Sequence, residues 1–544
     1  MKKKVSLLFI FLLIVNIGFS QTVRPTKNVI VMIPDGTSLS VVSASRWVKA
    51  YRNEGNHLNI DPYLSGTVTT FSSNAPIGDS APTTSTYMTG VPQQAGNVSM
   101  YPVADPANDI VKLNPDSAYQ PLATILEAMK MEQKKAAGLV VTCEFPHATP
   151  ADCASHYYSR SKYPVLAPQM AANNLNVMFG GGNDFITDEM KAFLKSTGTS
   201  LFQDDKKGMM NFTGDKVWAL FDKQAMPYDL DRNPDLMPSM AEMTTKALEI
   251  LNKNPNGFFL MVEGSKVDWA AHANDPAGMI GEFLAFDKAV GAAIEFAKKD
   301  GSTTIVVLPD HGNSGFSIGR NGLKKSYTSL TKDDLFGTVS KIKRTAEGLE
   351  KILLNTKPEN IKEVFMQYTG IEITNDELKT LAGSKNYKAE DYTQVSNSNN
   401  MTHNITVMLN ERMPFGFTTG GHTGEEVFLA VYHPQGDVLK GNVRNTDVHQ
   451  YLYKVAGLEK PMNQLTSEIF AKHTDVFNGL KYTIIQGKDF PKLVVKYKRK
   501  TLEIPAYSSV ASLNGVPFSL GSVVVYVDKN NTFYLPKNLL EKVK

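Results

Sequence analysis

Acidic, histidine and hydroxyl side chains stand at or just after the ends of short apolar runs in this sequence. In chain order they are Asp35, His147, Thr149, Glu263, Asp268, His272, Asp310 and His311, and His422 stands just before a fifth apolar run. In open α/β sheets, ligands gather outside the carboxyl ends of the strands. We therefore expect these side chains to meet at one edge of a sheet.

The residue types in this set are those that bind metal ions. Asp268 and His272 are four residues apart in SKVDWAAHAND, so a helix would place both on one face. Carboxylates and imidazoles bind zinc where thiolates are absent, and three acids with three histidines supply two such sites. A third set rich in oxygen, from Asp35, Thr149 and Glu263, suits a harder ion such as magnesium. Each residue alone is more often a cap or a core hydrogen-bonding group, so the prediction depends on the set.

Two further residues could act on a phosphate group. Ser80 lies in GDSAPTT, at the expected start of a helix reaching Met88 and Gly90, where unpaired backbone amides and the helix dipole favour an anion. The plain alternative is an ordinary helix N-cap. No G-x-S-x-G turn is present, so a metal would have to activate the hydroxyl. Arg160, which closes HATPADCASHYYSR, could hold two phosphate oxygens, although alone it would pass for a surface arginine.

Apolar runs at 28–33, 136–142, 257–262, 303–308 and 427–432, with helical patterns between them, predict the elements that position these residues. We predict an α/β fold with a large, mostly parallel central sheet flanked by helices on both faces. The polar segment of about 324–412 is predicted to be a crown-type insertion and the place where substrates are selected. Alternating strands with turns at 514–515 and 529–531 predict a small β-rich appendage over 482–544.

Length and composition are those of an ordinary globular protein of 544 residues, with 42% apolar and 20% charged residues. Residues 1–20 combine three lysines, an apolar run and small residues, which predicts a cleaved signal peptide and export to the periplasm or beyond the cell. A signal anchor is the alternative, but the apolar run is short for a membrane span.

The net charge of +3 falls to near neutrality without those lysines, which argues against nucleic-acid binding. We assign residues 21–481 to a catalytic domain.

The chain has two cysteines, Cys143 and Cys153. They could pair in an oxidising compartment or remain as free buried thiols, and the sequence leaves both alternatives open. Two cysteines cannot form a zinc cage by themselves.

Six segments together resemble the alkaline phosphatase family. In order they are NVIVMIPDG, GDSAPTTSTYMTGV, HATPADCASHYYSR, FFLMVEGSKVDWAAHANDP, VVLPDHGNSG and TTGGHTGEEV, spread over roughly residues 28–435. The resemblance implies a phosphomonoesterase that hydrolyses small-molecule phosphate monoesters through a phosphoserine intermediate. It also makes a homodimer one possibility.

The resemblance implies a role for each matching residue. Ser80 would be the nucleophile and Arg160 the phosphate clamp. Asp268, His272 and His422 would hold a first zinc ion, and Asp35, Asp310 and His311 would hold a second one near Ser80. Asp35, Thr149 and Glu263 would hold a third ion, nominally magnesium.

Two positions depart from the best-known bacterial pattern, which has aspartate and lysine where this chain has His147 and Trp269. An imidazole near the third site could favour zinc or cobalt over magnesium. Loss of the lysine removes a cation near the phosphate.

Two rival functions remain at this stage. A phosphodiesterase or sulfatase of the same superfamily would share the two-metal core, but the sulfatase C-x-P-x-R signature is absent and Thr149, Glu263 and Arg160 favour monoesters. A non-catalytic binding protein with a decayed phosphatase domain should have lost at least one metal ligand, and none is missing.

Overall fold

The structure is a computed structural model that describes residues 23–384 and 400–543. The proposed signal peptide, residues 1–20, lies outside the described residues. No helix in the described part of the chain combines the length and apolar character needed to cross a membrane.

The chain alternates strands and helices through most of its length. The strands are β1 (Asn28–Pro34), β2 (Leu64–Thr69), β3 (Ala136–Glu144), β4 (Val177–Gly181), β5 (Ser200–Gln203), β6 (Val217–Leu220), β7 (Phe258–Gly264), β8 (Thr303–Val307), β9 (Gly312–Asn313), β10 (Ser317–Ile318), β11 (Phe415–Gly416), β12 (His422–Thr423), β13 (Val427–Tyr432), β14 (Gly441–Arg444), β15 (Ala471–Lys472), β16 (Lys481–Ile485), β17 (Lys492–Tyr497), β18 (Lys500–Pro505), β19 (Val510–Leu513), β20 (Val516–Ser519), β21 (Val525–Val527) and β22 (Thr532–Leu535). The helices are α1 (Leu39–Tyr51), α2 (Ser80–Thr89), α3 (Ile125–Gln133), α4 (Ala148–Ala154), α5 (Tyr163–Ala172), α6 (Asp188–Ser196), α7 (Lys206–Asn211), α8 (Met240–Leu251), α9 (Lys266–His272), α10 (Pro276–Asp300), α11 (Lys332–Lys341), α12 (Ala346–Leu353), α13 (Ile361–Thr369), α14 (Asn375–Gly383), α15 (Met401–Glu411), α16 (Asn445–Val455), α17 (Met462–Ile469), α18 (His473–Val476) and α19 (Leu539–Val543).

A central sheet of ten strands, in the order β14-β2-β13-β8-β1-β7-β3-β4-β6-β5, confirms the predicted fold class. The strands from β8 through β1 and β7 to β5 are parallel. We expected the apolar run at 427–432 to be one of the parallel strands, and this prediction was wrong. The run forms β13, which is antiparallel to both β8 and β2. An apolar run shows that a strand is buried but not which way it runs.

Alternate residues of β1 divide the core between the two faces of this sheet. Ile30 and Met32 pack with α1, α8 and α10, whereas Val31 and Ile33 pack with α2, α3 and α16 on the other face. The two-residue period of a strand explains this division, because successive side chains point to opposite faces. A strand buried on both sides is an almost continuous apolar run, as the sequence shows.

The segment predicted as an insertion contributes α11 to α15, and it packs on one face of the sheet. Leu349, Phe365 and Ile405 belong to the same hydrophobic cluster as Ile30. The carboxylate of Asp275 joins this segment to the neighbouring helix α10. Asp275 Oδ1 accepts the backbone N–H groups of Ala277 and Gly278 at the start of α10, at 3.0 and 3.1 Å, and Asp275 Oδ2 accepts that of Ala346 at the start of α12, at 2.7 Å.

The C-terminal appendage is confirmed as a β-rich unit. Strands β16 to β20 form an antiparallel sheet in sequence order, and β15, β22 and β21 form a second sheet beside it. The two share a hydrophobic cluster that includes Phe477, Val495, Ile504 and Phe533. The boundary at residue 482 and the insertion limits of about 324–412 stay predictions.

Candidate active site

Ser80 is the first residue of α2 and its side chain is fully buried. Its Oγ lies 3.5 and 3.4 Å from Asp35 Oδ1 and Oδ2, and 3.4 Å from His311 Nε2. The helix ends at Gly90, which adopts a left-handed conformation with φ of 77°. Ser80 thus combines a helix N-terminus, which favours an anion, with a carboxylate and an imidazole next to its hydroxyl.

One group of possible metal ligands contains Asp268, His272 and His422. His272 Nε2 lies 3.4 Å from Asp268 Oδ2 and 3.1 Å from His422 Nε2. Asp268 and His272 do share one face of α9, as their spacing predicted. Asn313 Nδ2 donates to Asp268 Oδ1 at 2.6 Å and fixes the orientation of that carboxylate.

A second group surrounds His311. Its Nε2 lies 3.3 Å from Asp35 Oδ1 and 3.7 Å from Asp310 Oδ2. Asp310 Oδ1 accepts the backbone N–H groups of Gly36 and His311, both at 3.1 Å. Asp268 also reaches this group, since its ligand atom lies within 4.8 Å of those of Asp35 and His311.

Backbone carbonyls orient the three imidazoles. The Nδ1 atoms of His272, His311 and His422 lie 2.7, 3.1 and 3.1 Å from the carbonyl oxygens of Gly420, Gly312 and Gly78. A carbonyl only accepts, so each Nδ1 donates and carries the proton of the neutral ring. Each Nε2 is then left as an electron-pair donor that faces the carboxylates, as metal-binding histidines require.

Clustered carboxylates leave the site with excess negative charge. Burial, and then the charges of Asp310, Asp268 and Glu263, raise the pKa of Asp35 well above its ordinary value. Burial also raises the pKa of Asp310. Among residues 23–384 and 400–543, buried oxygens that make no hydrogen bond include Glu263 Oε1, Asp268 Oδ2 and Asp310 Oδ2. Divalent cations fit this donor set, because they supply both the missing charge and the missing partners.

Histidine pKa values differ across the site. Burial opposes protonation of His272 and His311, but the nearby carboxylates outweigh it and raise both pKa values. Burial and the neighbouring His311 lower the pKa of His422 to about 4. His422 is therefore the imidazole of this cluster that stays neutral most readily.

A third group of possible metal ligands includes Glu263, whose charge acts on Asp35. Cys143, His147 and Glu263 are all buried, and their ligand atoms lie within 4.8 Å of one another. Burial, and then the charge of Asp310, raise the pKa of Glu263 to about 8, although Ser265, Cys143 and Thr149 oppose the shift. Thr149, in α4, is therefore next to Glu263, as the predicted third set requires.

Arg160 lies beside the nucleophile helix. Its Nη1 donates to Asp79 Oδ1 at 2.6 Å, and its Nη2 lies 3.3 Å from His147 Nε2. Burial opposes ionisation of Asp79, but Arg160 and His422 lower its pKa to about 2. Trp269 packs edge-on against His147, with ring centroids 5.9 Å apart. The structure thus brings every site residue predicted from the sequence to one region.

Strand direction explains how His422 joins the others. The parallel strands β1, β7 and β8 bring Asp35, Glu263 and Asp310 to their carboxyl ends. Because β13 runs the opposite way, its beginning, just after His422, lies at that same edge. Gly36 is required there, since it has φ of 59° and a Cβ atom would lie 2.3 Å from Asp268 Oδ1.

Sequence reasoning missed three contributors. Asn313 lies within a quoted segment, but nothing in its type showed that it holds Asp268. Asp79 lies in the quoted GDSAPTT segment, but its sequence did not show that its carboxylate pairs with Arg160. For Cys143 the sequence left a disulfide and a free buried thiol open; Cys143 and Cys153 are both buried free thiols, and the place of Cys143 beside Glu263 was not foreseen.

Fold and site together define an enzyme with a buried serine nucleophile candidate beside clustered metal-ligand side chains, at the carboxyl edge of an α/β sheet. The family model described as alkaline phosphatase matches residues 26–458. Alkaline phosphatase 3 of Bacillus subtilis is 32% identical over 442 residues, covering 79% of this chain and 88% of that protein. The repressible alkaline phosphatase of Saccharomyces cerevisiae is 28% identical over 510 residues, covering 83% and 85%.

Solved structures agree on the fold. The alkaline phosphatase of Thermus thermophilus superposes with a TM-score of 0.68 at 21% identity, covering 80% of this chain and 92% of that one. The cold-active enzyme of a Shewanella species has a TM-score of 0.67 at 24% identity and covers 80% and 100%. The chain belongs to the alkaline phosphatase family and is a phosphomonoesterase.

Proposed function

We propose that the enzyme hydrolyses phosphate monoesters through a phosphoserine formed on Ser80. The observation that carries the proposal is the position of Ser80 Oγ at the start of α2, within 3.5 Å of Asp35 and His311. In the first displacement, Ser80 Oγ bonds to phosphorus and the bond to the alcohol oxygen breaks. In the second, water attacks phosphorus, inorganic phosphate leaves and the Ser80 hydroxyl is restored.

Arg160 and the start of α2 bind and orient the phosphate. The Asp79 carboxylate accepts from Arg160 Nη1 and holds the guanidinium beside the start of α2, where its charge and planar N–H groups suit phosphate oxygens. Backbone amides at the start of α2 add neutral donors. Burial of Ser80 keeps bulk water from the reacting oxygen until the alcohol has left.

The proposed cofactors are two zinc ions and a third ion, nominally magnesium. Asp268, His272 and His422 would hold the first zinc, Asp35, Asp310 and His311 the second, and Asp35, Thr149 and Glu263 the third ion. Bound zinc would lower the pKa of a hydroxyl or water and stabilise negative charge on oxygen. The clustering of these ligand atoms, and the buried carboxylate oxygens of Glu263, Asp268 and Asp310 that make no hydrogen bond, support this proposal.

His147 affects the identity of the third ion, because its imidazole would favour zinc or cobalt over magnesium. A histidine-to-aspartate mutant of TAB5 alkaline phosphatase, 22% identical with a TM-score of 0.54, has magnesium bound in its M3 site. Histidine at 147 fits a softer ion better than aspartate would.

The test is hydrolysis of a chromogenic aryl phosphate at alkaline pH by the protein as isolated, after chelation, and after zinc is restored. Ser80→Ala should abolish turnover. Ser85→Ala is the matched control, because Ser85 is buried in the same helix and donates to Asp152, which is not a proposed metal ligand. Mass spectrometry after an acid quench should find phosphate on the Ser80 peptide. A folded, metal-loaded protein that is inactive, or that prefers diesters, would refute the proposal.

Export and homodimer formation complete the proposal. Residues 1–20 support export, and N-terminal sequencing of the cell-associated and secreted protein should give a start near Gln21. Family membership supports a dimer, which sedimentation equilibrium would detect.

A further inference from the structure

A buried thiol lies in the third ligand group. Cys143 is near the end of β3, Glu263 is near the end of the neighbouring parallel strand β7, and His147 directly precedes α4. The three side chains are at most 3% exposed. Their donor atoms lie within 4.8 Å of one another, which is close enough for one ion to contact all three.

The surroundings of Cys143 hold its sulfur toward Glu263. Ser265 Oγ accepts the backbone N–H groups of Thr142 and Cys143 at 3.2 and 3.1 Å, which fixes the end of β3. Cys143 Sγ then lies 3.4 Å from Glu263 Oε2, while Glu263 Oε1 makes no hydrogen bond. One oxygen of a fully buried carboxylate is therefore left for a further partner.

We propose that Cys143 is a ligand of the third cation, together with Glu263 and His147, and that the site is consequently selective for zinc or cobalt. The inference rests on the proposed function only in assuming that a third cation binds here. Sulfur and imidazole donors favour zinc and cobalt, whereas magnesium takes oxygen ligands. The thiol proton leaves to solvent as the ion binds, so that the thiolate and the Glu263 carboxylate both act as anionic ligands.

The alternative is that Cys143 is only a core residue that donates a hydrogen bond to Glu263. The two alternatives differ for Cys143→Ser, which keeps a donor of similar shape but removes the sulfur. Cys153→Ser is the matched control, because Cys153 is equally buried but its sulfur contacts the backbone oxygen of Thr149 at 3.7 Å.

The experiment starts from the full-length enzyme stripped by chelation and loaded with cobalt to three ions per chain. Wild type and Cys153→Ser should show a sulfur-to-cobalt charge-transfer band in the near ultraviolet, and Cys143→Ser should lack it. Equilibrium dialysis should show third-site zinc affinity about 10- to 100-fold lower in Cys143→Ser. Magnesium affinity should change much less.

X-ray absorption at the zinc edge of wild type provides a measurement that does not depend on a variant folding. A sulfur neighbour at about 2.3 Å from zinc is expected, besides nitrogen and oxygen at about 2.0–2.2 Å. A charge-transfer band retained in Cys143→Ser, or a zinc spectrum without sulfur, would overturn the proposal. The Ser80→Ala variant should lose turnover but keep the band, so failure of the proposed function and failure of this inference are distinguishable.

Discussion

Arg160 offers the sharpest test of how the site recognises a monoester. A guanidinium that gives two hydrogen bonds to charged phosphate oxygens contributes ~1.5–3 kcal/mol for each bond. Arg160→Ala should therefore cost about 3–6 kcal/mol, or roughly 10²- to 10⁴-fold in kcat/KM. Arg160→Lys keeps the charge but only one directed bond, so it should lose about 10- to 100-fold.

The assay compares kcat/KM for an aryl phosphate with that for the matching methyl aryl diester, and adds inhibition by inorganic phosphate. A diester has one charged oxygen fewer and keeps one such bond to lose, so Arg160→Ala should cost it only about 10- to 100-fold. Lys223→Ala is a suitable surface control, since Lys223 is exposed and far along the chain from the site residues. An equal loss for both esters, or wild-type behaviour of Arg160→Lys, would refute the assignment of Arg160 to the phosphate.

Three further changes have defined outcomes. Burial, the largest cause, raises the pKa of Glu282 to about 8. Because the folded pKa exceeds the unfolded one, Glu282 should lower the free energy of unfolding by up to about 5 kcal/mol as pH rises from about 4.5 to 8. Urea titrations should therefore show a smaller loss over this range in Glu282→Gln than in wild type. Tyr157 and Tyr158, which precede Arg160 in the chain, each donate a hydrogen bond to Asp528 at 3.0 Å. Asp528→Ala removes both bonds and should raise KM for the monoester about 3- to 10-fold. An equal rise in KM for Asp489→Ala, a change in an exposed loop of the same C-terminal unit, would contradict this prediction. His147→Asp should shift the third site toward magnesium by about tenfold in competition dialysis with zinc, and an unchanged preference would show that His147 does not influence the ion.

The sequence predicts those features that depend on local patterns. Asp35 and Asp310 were identified because they are acids at the ends of buried apolar runs. The four-residue spacing identified the pair Asp268 and His272, and in the structure Asp268 Oδ2 lies 3.4 Å from His272 Nε2. Both arguments use only the period of an element and the edge of the sheet where its ends lie.

Features that depend on how distant segments meet could not be predicted in this way. The direction of β13 is set by its neighbours and not by its own apolar residues. The approach of Cys143 to Glu263 depends on the register between β3 and β7, in which Val140 pairs with Val262. Asn313 reaches Asp268 across a loop, and side-chain type alone does not encode such a partner.

Asp275 attaches the inserted helices to the helices that carry the active site. Its two carboxylate oxygens bind the starts of α10 and α12, only three residues beyond His272. The first turn of α12 therefore cannot move without disturbing the corner that carries a proposed metal ligand. Substitutions in the insertion should therefore accumulate beyond the contact between Asp275 and α12. Substrate preference could then change while the arrangement of the catalytic residues is preserved.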